Sequence, residues 1–160
     1  MVERRTAPSD LMIVPDDPAA VHVADLLAHH LAELRGVMRS HAFALDAAGL
    51  SAPEVTFWTA WHGAELAGFA ALKQLDARHG EVKSMRAAPA VRGTGVGRAL
   101  LEHVIGAARA RGYVRLSLET GTAALHAPAV ALYRSAGFID CEAFADYLPS
   151  PHNQFLRLAL

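Results

Sequence analysis

The residues that first suggest chemistry are Arg92-Gly93-Thr94-Gly95-Val96-Gly97-Arg98, three alternating glycines held between two arginines. Glycine lets a backbone approach a ligand closely and adopt dihedrals closed to other residues. Where a helix starts behind such a cluster, the N–H groups of its first turn converge on one spot, and the helix dipole adds partial positive charge there. Arg92 and Arg98 add formal charge at either end. This suits a phosphate or pyrophosphate. A P-loop requires G-x-x-x-x-G-K-[ST], and no Lys-Ser or Lys-Thr directly follows a glycine. A dinucleotide fingerprint runs G-x-G-x-x-G, whereas Gly93, Gly95 and Gly97 run G-x-G-x-G. Glu119, 22 residues past Gly97, could imitate the ribose-binding acid, so a nucleotide-binding module stays open. A glycine turn with no ligand stays open too.

Other reactive side chains point to less. The nine histidines, at positions 22, 29, 30, 41, 62, 79, 103, 126 and 152, form neither HExxH nor a Cys/His cluster, so no metal is expected. The adjacent His29 and His30 point to different faces of a helix. Cys141 lacks a nucleophile motif and reads as an inert thiol. No serine or cysteine has a triad-like setting.

The glycine cluster needs a strand ahead of it and a helix behind it, and both are legible. Gly80 to Ala87 reads as a strand stopped by Pro89. Leu100, Leu101, Val104, Ile105 and Ala108 follow a helical stripe that ends at Arg111-Gly112. Val114, Leu116 and Leu118 then alternate as a strand, and Pro128 to Ala136 is a short helix with Gly137 beyond its end. Two terminal strands are expected, over Phe138–Phe144 and Gln154–Leu160.

Upstream, Leu11 to Val14 reads as a strand. Asp17 can cap the next helix, with Pro18 at its first position and Gly36 at its end. Val23, Leu27, Leu31 and Leu34 line one face of that helix. A shorter helix is expected over residues 40–48, before the break at Pro53. From Val55 to His62 the period is two, placing Trp58 and Trp61 on opposite faces. His62-Gly63-Ala64-Glu65 supplies a turn and Leu66 to Leu75 the return strand. The order is strand, two helices, three strands, helix, strand, helix, two strands. It describes a mixed α/β (α+β) domain with an antiparallel front half.

Composition agrees. At 160 residues, with 52% hydrophobic and 19% charged, the chain reads as one packed domain, 1–160, in which residues 1–10 are a loose lead-in. Fifteen Lys+Arg against 16 Asp+Glu leave a charge of -1, without the basic excess of a general nucleic-acid binder. One cysteine makes no internal disulfide. No signal peptide is read, and no apolar stretch approaches the roughly 18 residues of a membrane span, so a cytoplasmic protein is expected.

Together these residues resemble a family. Arg92-x-x-Gly95-x-Gly97 matches the Q/R-x-x-G-x-G/A signature of the GNAT superfamily of acyl-CoA-dependent N-acetyltransferases. Glu81 to Pro89 looks like that family's central strand, and Leu132-Tyr133-Arg134-Ser135-Ala136-Gly137-Phe138 resembles its LYxxxGF segment. Leu118-Glu119-Thr120-Gly121 and a late Tyr147 with Pro149 and Pro151 resemble one bacterial branch of small members. The resemblance covers residues 11–160 and implies a mostly antiparallel sheet flanked by helices and splayed at an acyl-CoA slot.

The resemblance also implies roles. The backbone of Arg92, Gly93, Thr94, Gly95, Val96, Gly97 and Arg98 would hold the pyrophosphate of coenzyme A. The strand edge at Met85, Arg86 and Ala87 would pair with the pantetheine arm, and an N–H there would stabilise the oxyanion. Tyr133 would protonate the leaving thiolate, although Ala129, Leu132, Tyr133 and Ala136 also share a face suited to a core. Glu81 is the first candidate for the base that deprotonates the acceptor, and Glu119 the second. His126 stands where the family often has an asparagine, and would either contact the cofactor arm or cap a helix. Ser150-Pro151-His152-Asn153-Gln154 lacks the serine that the branch usually shows. Residues Arg35–Asp46, with Arg39, His41 and Asp46, could border the acceptor pocket. The implied reaction transfers an acetyl group from acetyl-CoA to a primary amine of a small molecule, by direct attack, in a homodimer. A protein acceptor and a non-catalytic acyl-CoA binder are the alternatives.

Overall fold

The period-two run folds as expected: β2 (Val55–His62) turns through Gly63, at φ +57°, into β3 (Glu65–Asp76). The computed structural model describes residues 10–38 and 46–160. β1 (Leu11–Pro15) and β4 (His79–Ala87) flank this hairpin antiparallel. The helix behind the glycines, α3 (Val96–Ala110), then carries the chain to β5 (Arg115–Gly121), which pairs parallel with β4. After α4 (Ala127–Ser135), β6 (Ile139–Asp140) and β7 (Asn153–Ala159) complete the seven-stranded sheet in the order β1-β2-β3-β4-β5-β7-β6. It is the mixed α/β architecture with an antiparallel front half that the pattern predicts, and the mostly antiparallel sheet that the resemblance implies.

Alternation along the strands gives the sheet two buried faces. Val82, Leu116, Leu118 and Leu156 pack with Leu100, Leu101 and Val104 of α3. On the opposite face Phe57, Phe69 and Ala71 pack with Val23 and Leu27 of α1 (Val21–Met38) and Leu50 of α2 (Ala47–Leu50). Trp58 belongs to the first face, edge-on to His103, while Trp61 donates to Thr59 Oγ on the second.

Three expectations need correction. Asp17 accepts from the Ala19 N–H at 2.9 Å and so makes a turn; α1 starts at Val21, not at Pro18. The helix also runs through Gly36, which has a single side-chain hydrogen to accommodate and open space around it. Of the expected strand Phe138–Phe144, only Ile139–Asp140 pairs. The chain leaves the sheet after Cys141 N–H donates to Phe155 O, and Phe144 turns to stack edge-on against Tyr147 and Phe155. Of the lead-in 1–10, residues 1–9 lie outside the described residues, as do residues 40–45 of the helix expected over 40–48; the described residues place α2 at Ala47–Leu50, ending two residues past the expected end. Among the described residues no helix is long and apolar enough to cross a membrane.

Candidate functional site

β4 and β5 begin as paired strands and then part. Their register runs through His79↔Arg115, Gly80↔Leu116 and Glu81↔Ser117, and no further. Two things separate them. The β3–β4 register shifts between Phe69 and Ala71, where Ser84 takes φ +49°, the bulge that bends β4. Meanwhile β5 stays hydrogen-bonded to β7 as far as Gly121↔Asn153. The gap is a cavity of about 660 Å³ between residues 82–87 and 118–121, closed by the glycine loop, α4, and His30 and Leu34 of α1.

The glycine loop follows a 3-10 turn at Pro89–Val91. Gly93 and Gly95 sit at φ +77° and +93°, where a side chain would be strained. Thr94 Oγ donates to Val91 O at 2.5 Å and fixes the loop. The first helical bond is Ala99 N–H to Gly95 O, so the N–H groups of Val96, Gly97 and Arg98 precede the ladder, and Gly97 and Arg98 line the cavity. Arg98 donates to Ser135 Oγ at 3.1 Å and ties α3 to α4, while Arg92 lies 3.6 Å from Glu33.

Tyr133 projects from α4 into the cavity wall, buried beside Phe138. Burial raises its phenol to about 12, so it keeps its proton at neutral pH. Glu81 and Glu119 come together on the face away from α3, but in different settings. Glu81 is 2% exposed, accepts from the Tyr147 hydroxyl and sits 3.5 Å from Lys83 Nζ. Lys83 Nζ in turn donates to Tyr147 Oη and lies 5.1 Å from that ring's centre. Glu81 is not among the residues lining the cavity; Glu119 is. Asn153 donates to Glu119 at a long 3.4 Å, and burial pushes its carboxyl up to about 7 against the pull of Asn153 and Lys83.

A second cluster closes the cavity from α1. Arg86 Nη1 donates to Glu33 Oε2 at 2.7 Å, and His29 lies 2.9 Å from the other oxygen of Glu33. The Arg86 hydrogen bond holds the Glu33 carboxyl down to about 2. His30 is buried edge-on against Phe69, and burial, with the Arg86 charge, lowers its imidazole to about 4. As the sequence predicts, His29 and His30 face apart. His126 precedes α4 but makes no capping bond; its ring packs beside Gly121, where a Cβ would stand 2.3 Å from it. Among the described residues, the buried side-chain nitrogens and oxygens without a hydrogen-bond partner belong to His30, Ser84, Arg86 and His126, all of which line this cavity.

Asp46 caps α2 through the Gly49 N–H at 3.0 Å and does not line the cavity, while Arg39 and His41 lie outside the described residues. The helix side of the site comes instead from His30, Glu33 and Leu34. Leu34 lies on the expected stripe of that helix and Tyr147 enters through the resemblance; Lys83 shares a strand face with Glu81 two residues earlier, and Glu33 carries no signal of its own. Elsewhere His79 Nε2 lies 2.7 Å from Ser117 Oγ. Arg115 Nη2 stands 3.3 Å from His79 Nδ1. Arginine only donates, so Nδ1 accepts and Nε2 carries the proton, leaving no base aimed at Ser117.

The acetyltransferase (GNAT) family profile matches residues 23–138. The chain is 46% identical over 148 residues to the uncharacterized N-acetyltransferase YsnE of Bacillus subtilis, covering 91% of this chain and 97% of that one. A crystal structure from Klebsiella pneumoniae, assigned as an acyl-CoA N-acyltransferase, superposes with a TM-score of 0.79 at 27% identity, covering 94% and 97% of the two chains. An Elizabethkingia anophelis acetyltransferase with acetyl-CoA bound shares the fold at a TM-score of 0.69 and 17% identity, covering 96% and 100%.

Proposed function

Because the chain belongs to the acetyltransferase (GNAT) family and is an acyltransferase, we propose that it moves an acetyl group from acetyl-CoA to a primary amine of a small molecule in the cytoplasm. The observation that carries this reading is the parted β4–β5 pair, with its partnerless buried polar atoms collected around one cavity. A narrow ligand lying in that gap fits both. The Elizabethkingia structure, with acetyl-CoA on the same fold, supports the choice of donor.

The residues divide the work. The N–H groups at the start of α3, with Gly93, Thr94 and Gly95 ahead of them, bind the diphosphate at the positive end of the helix dipole. The Met85–Ala87 edge, unpaired toward β5, aligns the pantetheine arm. Acetyl-CoA supplies the activated acetyl group as a thioester. An alkylamine is mostly charged at pH 7 and must lose a proton before it attacks. Glu119 takes that proton: it lines the cavity and titrates near neutrality, the range in which a base works best. Glu81 is enclosed by Tyr147 and Lys83 and positions them. Tyr133, protonated in its buried setting, donates to the departing sulfur. Attack is direct. Ser84 lines the cavity but its hydroxyl has no partner to activate it, and Cys141, its thiol pushed up by burial, does not line the cavity.

The test is thiol release from acetyl-CoA against a panel of small primary amines, run beside thermal melts with CoA, NAD and ATP. Amine-dependent thiol release and a melt shift with CoA alone are expected. CoA binding with no transfer to any amine would leave an acyl-CoA binder. Transfer only to peptides would replace the acceptor class. A shift with NAD or ATP instead would overturn the donor. Light scattering of the same sample tests the homodimer.

A further inference from the structure

Half of the Arg86 guanidinium has no partner in the protein. Nη1 is occupied by Glu33 at 2.7 Å. The other edge, Nε and Nη2, is buried with no hydrogen-bond partner, although the side chain is only 10% exposed and lines the cavity. Nε–H and Nη2–H point the same way from a rigid plane, the spacing that receives both oxygens of one carboxylate. Buried charged donors left unpaired are costly, and a ligand that pairs them recovers that cost.

Charge points the same way. Among the described residues Glu33 is the one carboxylate within reach of Arg86, and it is shared with Arg92 at 3.6 Å and His29 at 2.9 Å. The other cation of this wall, Lys83, is held by Glu81 and Tyr147. Among the described residues, two guanidinium groups at the α1 end of the cavity, Arg86 and Arg92, thus share the one carboxylate of Glu33. His30, neutral and with both ring nitrogens unpartnered, stands on the same wall and offers one further donor.

The side of the strand identifies the ligand. Met85 and Ala87 pack with the α3 cluster, while Arg86 between them reaches α1. The diphosphate-binding N–H groups belong to α3. Arg86 thus serves the other occupant of the site. We propose that Arg86 binds a carboxylate of the acceptor, so that the substrate is a primary amine that also carries a carboxylate, of the amino-acid class. This rests on the acetyltransferase reading above.

The experiment uses matched acceptors: amino acids, each beside its carboxamide and its decarboxylated amine. Acetyl transfer is measured by thiol release, and binding by thermal melts at saturating CoA. Arg86→Lys retains a charge for Glu33 but lacks the fork, and Arg86→Gln lacks both. For wild type, kcat/KM is expected to favour the carboxylated member by about tenfold to a hundredfold, as hydrogen bonds to a charged group imply. In both variants that ratio falls toward one, and carboxylate-dependent melt shifts disappear. Equal rates across each triplet in wild type would overturn the inference and leave the transferase standing. So would a preference that persists in Arg86→Lys, or a loss of CoA affinity in Arg86→Lys as large as the loss of carboxylate binding. A carboxylate-dependent, Arg86-dependent melt shift without transfer to any amine would uphold the carboxylate site and overturn the transferase. Neither shift nor transfer would overturn both.

Discussion

The two faces of the β4–β5 pair are made by the same residues taken alternately, yet they are opposite in character. Toward α3 stand Val82, Leu116 and Leu118, buried in an apolar cluster. Away from it stand the buried His79, Glu81 and Ser117 and the partly buried Glu119, and every one of these groups is polar. The first face gains free energy by leaving water; the second loses it unless each group finds a partner. His79, Ser117 and Glu81 do find partners, whereas Glu119 is held only weakly. One face supplies stability and the other spends some of it on chemistry.

Tyr133 tests that division most severely, because it packs in the apolar cluster and also lines the cavity. Tyr133→Phe is expected to lower kcat by about 10²- to 10⁴-fold, the range of a lost general acid, while CoA still raises the melting temperature as in wild type. An unchanged kcat would return Tyr133 to the core alone. On the apolar face, Leu116→Ala is expected to cost about 2–5 kcal/mol through transfer and cavity terms, read as a midpoint shift in urea. A loss below 1 kcal/mol would mean that this face is less tightly packed than its full burial implies.

On the polar face, stability and activity move in opposite directions. The Glu119 carboxyl titrates at about 7 in the folded chain against 4.5 as the ordinary value. The unfolded chain therefore releases this proton first, and the contribution to stability, full below 4.5, is lost as pH rises through 7. Glu119→Gln removes the cost, so at pH 8 the variant should melt higher than wild type. Its kcat/KM should drop by about 10²-fold and lose the wild-type rise through pH 7. A variant that melts lower, or retains that rise, would remove Glu119 as the base.

The smallest effects separate two glycines of one loop. In Gly97→Ala the new Cβ meets only Leu132 Cδ2, at an ordinary 3.5 Å, and gains helix propensity, about 0.5–1 kcal/mol of stability by thermal melt. Gly95→Ala forces a side chain to φ +93° and should lose about 1–2 kcal/mol. Equal changes would show that the loop relaxes away from its left-handed turn.

What the sequence revealed and what it hid divide along similar lines. The sheet and the glycine loop depend on backbone: alternation located β2 at Val55–His62, and Gly93, Gly95 and Gly97 marked the loop into α3 within a few residues. Local pattern carries such information. The wall toward α1 and Tyr147 depends on side chains joined across the chain, Arg86 with Glu33 at a separation of 53 residues and Tyr147 with Glu81 at 66. No periodicity reports those meetings. Glu81 and Glu119 looked alike as glutamates on neighbouring strands; Tyr147 and Lys83 beside the one, and Asn153 and the cavity beside the other, distinguish them. Gly36 misled for a related reason: a glycine permits a helix to stop but does not compel it.

The parting of β4 from β5 leaves a row of backbone N–H and C=O groups inside a sheet instead of at its rim. Such rows at a rim invite other polypeptides to add on and aggregate. Here the row lies at the bottom of a cleft whose walls are α1, the start of α3 and α4. A slender chain such as a pantetheine arm can reach it, while a polypeptide strand, with side chains alternating above and below, meets those walls first. The fold thus keeps a sticky surface without exposing it to other proteins.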